Sequence, residues 1–109
     1  MRICFDIDGT LCLPAEGTDY KFVFADKSVV EYVQQLKRAG HTIVLHTARG
    51  SGTGTDWRHV TERQLAEWGV PYDELIFGKP YADLYVDDRA VNVSDFEKVM
   101  RVTDPVGDE

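Results

Sequence analysis

Two aspartates one residue apart, Asp6 and Asp8, close the first apolar run of the chain, and Gly9-Thr10 follows at once. Strand side chains alternate, so residues two apart can point the same way into one crevice. Three more polar clusters stand at the ends of apolar runs: His46-Thr47-Ala48-Arg49, Gly78-Lys79-Pro80 and Asp87-Asp88-Arg89. If the runs are parallel strands, all these clusters share the carboxyl edge of one sheet. That edge is where open α/β sheets bind ligands.

Asp6, Asp8, Asp87 and Asp88 crowded together would repel, and some would take up protons, unless a cation sat among them. An oxygen-rich set of this kind suits Mg²⁺, which completes its octahedron with water and substrate oxygens. Lys79 offers a point charge and Thr47 a hydroxyl, both fitting partners for phosphate oxygens. Arg49 is a candidate substrate contact, with a solvated loop arginine as the equal alternative. The competing account makes the carboxylates caps and turn residues. It suits Asp8 before Gly9, and Asp88 as well, but it does not explain the whole set together with Lys79.

The elements that must position these residues are short. Ile3-Cys4-Phe5, Thr42–Leu45, Leu75-Ile76-Phe77 and Leu84-Tyr85-Val86 read as strands, mostly continuous and rich in β-branched or aromatic residues. Cys4 falls inside such a run and is expected to be buried, with Cys12 an incidental thiol. Ser28 to Ala39 reads as a helix carrying Val29, Val33 and Leu36, with Ser28 as N-cap, Glu31 completing a capping box and Gly40 as the stop. Asp56 to Trp68 reads as a second helix ended by Gly69 and Pro71, and Asp95 to Arg101 as a third. The alternation predicts an α/β fold with a mainly parallel sheet. Thr10 to Lys27 is long for a link and ends in Tyr20-Lys21-Phe22-Val23-Phe24, the pattern of a small β-hairpin flap. Gly50 to Thr55 reads as a flexible loop, and Trp57, Trp68 and Tyr85 as core residues. His41 and His59 are placed at the surface, and His46 beside the sheet edge.

The chain of 109 residues has the length of one domain, taken as residues 1–103 with a frayed acidic tail at 104–109. Its net charge of -7 disfavours long polynucleotides and anionic membranes as partners. An anionic substrate is still allowed, because a divalent metal reverses the local charge. No run is long enough to span a bilayer and nothing reads as a signal peptide, so the cytoplasm is the expected compartment.

With these residues in view, the chain resembles the haloacid dehalogenase-type hydrolase superfamily. Asp6-Ile7-Asp8-Gly9-Thr10 matches the first motif, Thr47 the second, Lys79 the third and Asp87-Asp88 the fourth, in order along nearly the whole chain. The resemblance implies a three-layer, Rossmann-like fold with helices on both faces of the sheet. It implies a phosphatase in which Asp6 is the nucleophile and Asp8 the general acid and base. Mg²⁺ would be held by Asp6, the Asp8 carbonyl and Asp87, with Asp88 binding directly or through water. Thr47, Ala48, Arg49 and Lys79 would line the phosphate and substrate side. Neither inter-motif gap can hold a cap domain, so the site would be open, which suits a bulky substrate or a cover from a neighbouring subunit. The segments Leu45–Arg49 and Phe77–Asn92 resemble small capless members of capsule and surface-polysaccharide biosynthesis, implying a sugar phosphate or a small phosphorylated precursor. A nucleotide or nucleic-acid-end phosphatase shares that layout. A receiver-like phosphoacceptor domain is the rival of another class, but it would leave the late Asp87-Asp88 pair unexplained and needs an aspartate after the second run. An inactive binding module is disfavoured by the intact Asp6, Asp8 and Lys79.

Overall fold

The computed structural model describes residues 1–13 and 20–103. Its elements run β1 (Arg2–Asp6), α1 (Lys27–Arg38), β2 (Thr42–Thr47), α2 (Arg58–Trp68), β3 (Glu74–Phe77) and α3 (Val93–Thr103). The strands form one parallel sheet in the order β1-β2-β3. Phe5 pairs with Leu45 and Asp6 with His46, and on the other side of β2 Leu45 pairs with Leu75 and Thr47 with Phe77. Parallel neighbours need a crossover, and α1 and α2 supply them. The α/β fold with a parallel sheet is therefore present.

The central strand carries the core. Ile43, Val44, Leu45 and Thr47 of β2 are buried, and Phe5, Ile7, Leu11, Val33, Leu36, Leu65 and Val70 close around them. α1 contributes Val30, Val33 and Leu36 at helical spacing. Its first turn is capped two residues earlier than the sequence pattern indicates. Asp26, not Ser28, is the N-cap: its carboxylate accepts from the backbone N–H of Ser28 at 3.2 Å and of Val29 at 3.4 Å. A carboxylate there also opposes the positive end of the helix, which the Ser28 hydroxyl cannot do as strongly. α2 begins at Arg58 rather than Asp56, whose carboxylate accepts from the Arg58 N–H at 3.0 Å. Gly69 ends α2 in the left-handed conformation at φ 74°. α3 packs Phe96 edge-on against Phe5, with centroids 5.2 Å apart.

The fourth apolar run departs from expectation. Leu84-Tyr85-Val86 forms no strand, and these residues are 78%, 48% and 91% exposed, so Tyr85 is not a core residue. β1 is consequently an edge of the sheet among the described residues, and Cys4 is exposed rather than buried. The thiol that is buried is Cys12. Loss of solvation, with Asp8 adding to it, pushes its pKa up to about 12, so it stays protonated. The flap is partly described: Cys12 bridges Ala25 in antiparallel fashion, and the Leu13 N–H donates to the Phe24 carbonyl at 2.9 Å. Residues 14–19 and the expected frayed tail at 104–109 lie outside the described residues.

Asp73 ties α1 to the sheet. Its carboxylate accepts from Lys37 Nζ at 2.6 Å and from the Ile43 N–H at 2.8 Å. The Lys37 hydrogen bond, then the Ile43 one, hold its pKa below the ordinary value. A lowered folded-state value means the contribution is complete above the unfolded pKa of about 3.9 and fades as pH falls through the folded one. Asp73→Asn should therefore destabilise the protein at neutral pH and flatten the loss of stability in that acidic window. Urea denaturation at a series of pH values measures both effects; parallel curves for the two proteins would remove Asp73 from the account.

Candidate active site

Three of the four clusters meet at the carboxyl ends of the strands. Asp6 ends β1, Thr47 ends β2, and Lys79 follows β3 by two residues. Main-chain pairing continues past the strands, since the Lys79 N–H donates to the Thr47 carbonyl at 3.1 Å. That bond sets Lys79 across from β1, where its Nζ lies 3.5 Å from Asp6 Oδ1. The same ammonium sits 4.1 Å from the centroid of the Tyr85 ring. Tyr85 in turn donates its hydroxyl hydrogen bond to the Pro80 carbonyl.

Asp6 is half-buried, and its pKa is raised. Burial drives the shift; Lys79 and the Ile7 N–H pull the other way, and neighbouring Asp8 adds to the rise. One lysine therefore leaves this carboxylate short of positive charge. Thr47 is buried, and its hydroxyl accepts from the Arg49 N–H at 3.0 Å. A hydroxyl holds one donor besides its acceptor positions, so its proton is available to another oxygen.

Asp8 sits on a tight turn. The Ile7 carbonyl accepts from the N–H groups of Thr10 at 3.1 Å and Leu11 at 2.9 Å, and Gly9 takes a φ of 86° that the turn requires. The Asp8 carboxylate faces Arg49, whose Nε donates to Oδ2 at 2.8 Å and whose Nη2 donates to Oδ1 at 2.9 Å. Arg49 is neither a solvated loop residue nor a free arm for substrate. It is 3% exposed, and its Nη1 donates to Thr61 Oγ1 at 3.0 Å and to Gln64 Oε1 at 2.6 Å. Thr61 and Gln64 escape a reading that looks for apolar stripes. The available signal is their three-residue spacing, which puts two polar side chains on the inner face of α2. Ala48 lies between Thr47 and Arg49, half-buried.

The acidic pair does not join this group. Asp87 and Asp88 lie in the exposed 81–92 segment, where an Asp87 carboxylate oxygen accepts from the Arg89 N–H at 2.7 Å. Among the described residues, no three His, Cys, Asp or Glu side chains are gathered so as to hold a metal ion. The donors already at the edge, Asp6 and the Asp8 backbone, have the hard-oxygen chemistry that Mg²⁺ takes, and Asp6 lacks compensating charge. Asp6 and the Asp8 backbone fit that ion in chemistry, and Asp87 and Asp88 are exposed in the 81–92 segment.

Beside Lys79 lies an open pocket of about 260 Å³, lined among others by Gly50, Ser51, Trp57, Arg58 and Phe77. The Gly50–Thr55 loop is folded against it. Gly50 adopts φ 81°, and a Cβ there would meet the Thr55 carbonyl oxygen at 2.1 Å. Ser51 Oγ donates to the Lys79 carbonyl at 2.8 Å, joining the pocket wall to the segment that carries Lys79.

No family model and no curated protein matches the chain. Solved structures do. A crystal structure of an MCSG target from Vibrio cholerae is similar at TM-score 0.79 and 29% identity, over 93% of this chain and 94% of that one. The Pnkp1/Rnl/Hen1 complex is similar at TM-score 0.56 and 24% identity, over 95% of this chain and 34% of that one. A second structure, of the Pnkp1/Rnl/Hen1 RNA repair complex, matches at TM-score 0.56 and 23% identity, covering 95% and 31% of the two chains. The chain thus spans about a third of the length of the matched chains in those complexes. Among the described residues no helix is long and apolar enough to cross a membrane. The fold shared with these structures is a small α/β unit built on an open parallel sheet.

Proposed function

We propose that the protein is a Mg²⁺-dependent phosphatase of the haloacid dehalogenase type. It would hydrolyse a phosphomonoester through an aspartyl-phosphate on Asp6, on the three-layer version of the fold. The observation that supports this reading best is the approach of Lys79 to Asp6 at the carboxyl edge, with Asp8 and Thr47 positioned beside them. Asp6 attacks phosphorus, Asp8 handles the protons, and Lys79 and Thr47 hold phosphoryl oxygens. Lys79 also lowers the repulsion between Asp6 and an incoming dianion. Bound Mg²⁺ would neutralise charge on the transferring group; Asp6, the Asp8 carbonyl and Asp87 would hold it, with Asp88 direct or through water.

The substrate class proposed is a sugar phosphate or a small surface-polysaccharide precursor, handled in the cytoplasm, with an open site that a second subunit could cover. A nucleotide or nucleic-acid-end phosphate is the alternative.

Purified protein is expected to release phosphate from members of a panel of phosphorylated sugars, polyols, nucleotides and 3′- or 5′-phosphorylated oligonucleotides. Activity should vanish with a chelator and return with Mg²⁺. Hydrolysis that persists without divalent metal would overturn the metal assignment. Stable phosphorylation by a small phosphodonor, without turnover, would favour the phosphoacceptor alternative.

A further inference from the structure

Arg49 is a charged side chain held out of water, and no other is buried among the described residues. Burying a cation is costly unless its partners are complete. Here four of its five N–H donors are matched: two bonds to Asp8, one to Thr61 and one to Gln64. Gln64 is itself braced, its Nε2 donating to the Tyr20 carbonyl at 2.6 Å, and the Tyr20 ring lies 4.8 Å from the guanidinium carbon. A guanidinium only donates, and its fork fixes a carboxylate in one plane. Both Asp8 oxygens therefore act as acceptors, and the Cys12 thiol donates to one of them as well, at 3.4 Å. Held this way, the Asp8 side chain is fixed in one plane with donors on both oxygens.

We infer that Arg49 is a positioning residue that holds Asp8 as the base for hydrolysis of the phosphoenzyme, an inference that rests on the phosphatase reading above. In the first half-reaction an Asp6 oxygen bonds to phosphorus while the bond to the leaving oxygen breaks, and that oxygen keeps the electron pair. In the second, a water oxygen bonds to phosphorus and the bond to Asp6 breaks, its pair returning to the Asp6 carboxylate. The proton lost by water passes to Asp8, which delivers it to the leaving oxygen of the next substrate. The Arg49 fork serves the second half, where a correctly aimed carboxylate must take the proton from water.

The two halves separate with p-nitrophenyl phosphate, whose leaving group needs no proton. In Arg49→Met, nitrophenolate should appear as a burst of one equivalent per chain. Steady turnover should then fall on the order of 100-fold, the lower end of what a general base contributes. Phosphate should remain on Asp6, detectable by intact mass. Arg49→Lys keeps the charge but not the fork, and should show a smaller burst and partial recovery of turnover. Gln64→Met and Thr61→Val leave Arg49 in place and should shift the kinetics the same way; they carry the test if circular dichroism shows Arg49→Met unfolded. A burst phase slowed as much as steady turnover, or wild-type kinetics throughout, would overturn the inference alone. A wild-type protein that releases no phosphate from any ester in Mg²⁺ would overturn the phosphatase reading, and this role with it.

Discussion

Asp6→Asn should abolish phosphate release from an aryl phosphate while the protein stays folded, with a thermal midpoint no lower than that of the wild type. The first half follows from chemistry. The amide is a far poorer nucleophile toward phosphorus, and without the acyl-phosphate no second half-reaction exists. The second half follows from the environment of Asp6. Its pKa is raised, chiefly by burial, which outweighs the help of Lys79. For a carboxyl so shifted, stability is fullest while the group is protonated, below an unfolded value of about 3.9. It is lost as pH rises through the folded value. At neutral pH the ionised Asp6 is thus a cost to the fold, and a neutral amide of the same shape removes it. Near-normal turnover in this variant would refute the nucleophile assignment. A lost fold would refute the account of its environment.

The largest effect on stability is expected at Leu45. It is fully buried in the central strand, with Phe5 and Leu75 as its neighbours in register. Leu45→Ala removes buried methyl groups where strands on both sides restrict collapse, and should cost about 2–5 kcal/mol. Against a total of roughly 5–15 kcal/mol, that is a large fraction. The thermal midpoint should fall by about 10 °C or more. Urea denaturation provides the check: a change below about 1 kcal/mol, with unaltered slope, would mean the sheet is packed far more loosely than described.

Much of this fold is legible in the order of residues. The first three apolar runs become β1, β2 and β3, and Asp6, Thr47 and Lys79 reach one edge because each ends or follows a strand in a parallel sheet. What escapes the sequence depends on partners that periodicity does not reveal. Leu84-Tyr85-Val86 has the composition of a strand, yet a strand forms only where a neighbour accepts its hydrogen bonds, and none of the described residues does so. Cys4 is exposed for the same reason, with no strand beyond β1 among the described residues. Arg49 reads as a loop arginine until Asp8, Thr61 and Gln64 are seen around it, brought from positions 41, 12 and 15 residues away. The N-cap shifted from Ser28 to Asp26 because both residue types can cap a helix and the backbone decides between them.

The simple strand order has a consequence for biosynthesis. Each strand of the sheet pairs with the next one along the chain, so assembly can follow translation. Once Thr47 has left the ribosome, β1, α1 and β2 are all available, and Phe5, Ile7, Val33, Leu36, Ile43 and Leu45 can begin to bury one another. Asp6 and Thr47 come side by side at that stage, whereas Lys79 arrives only with the last strand. A partial core can thus form in the nascent chain well before Lys79 reaches the carboxyl edge.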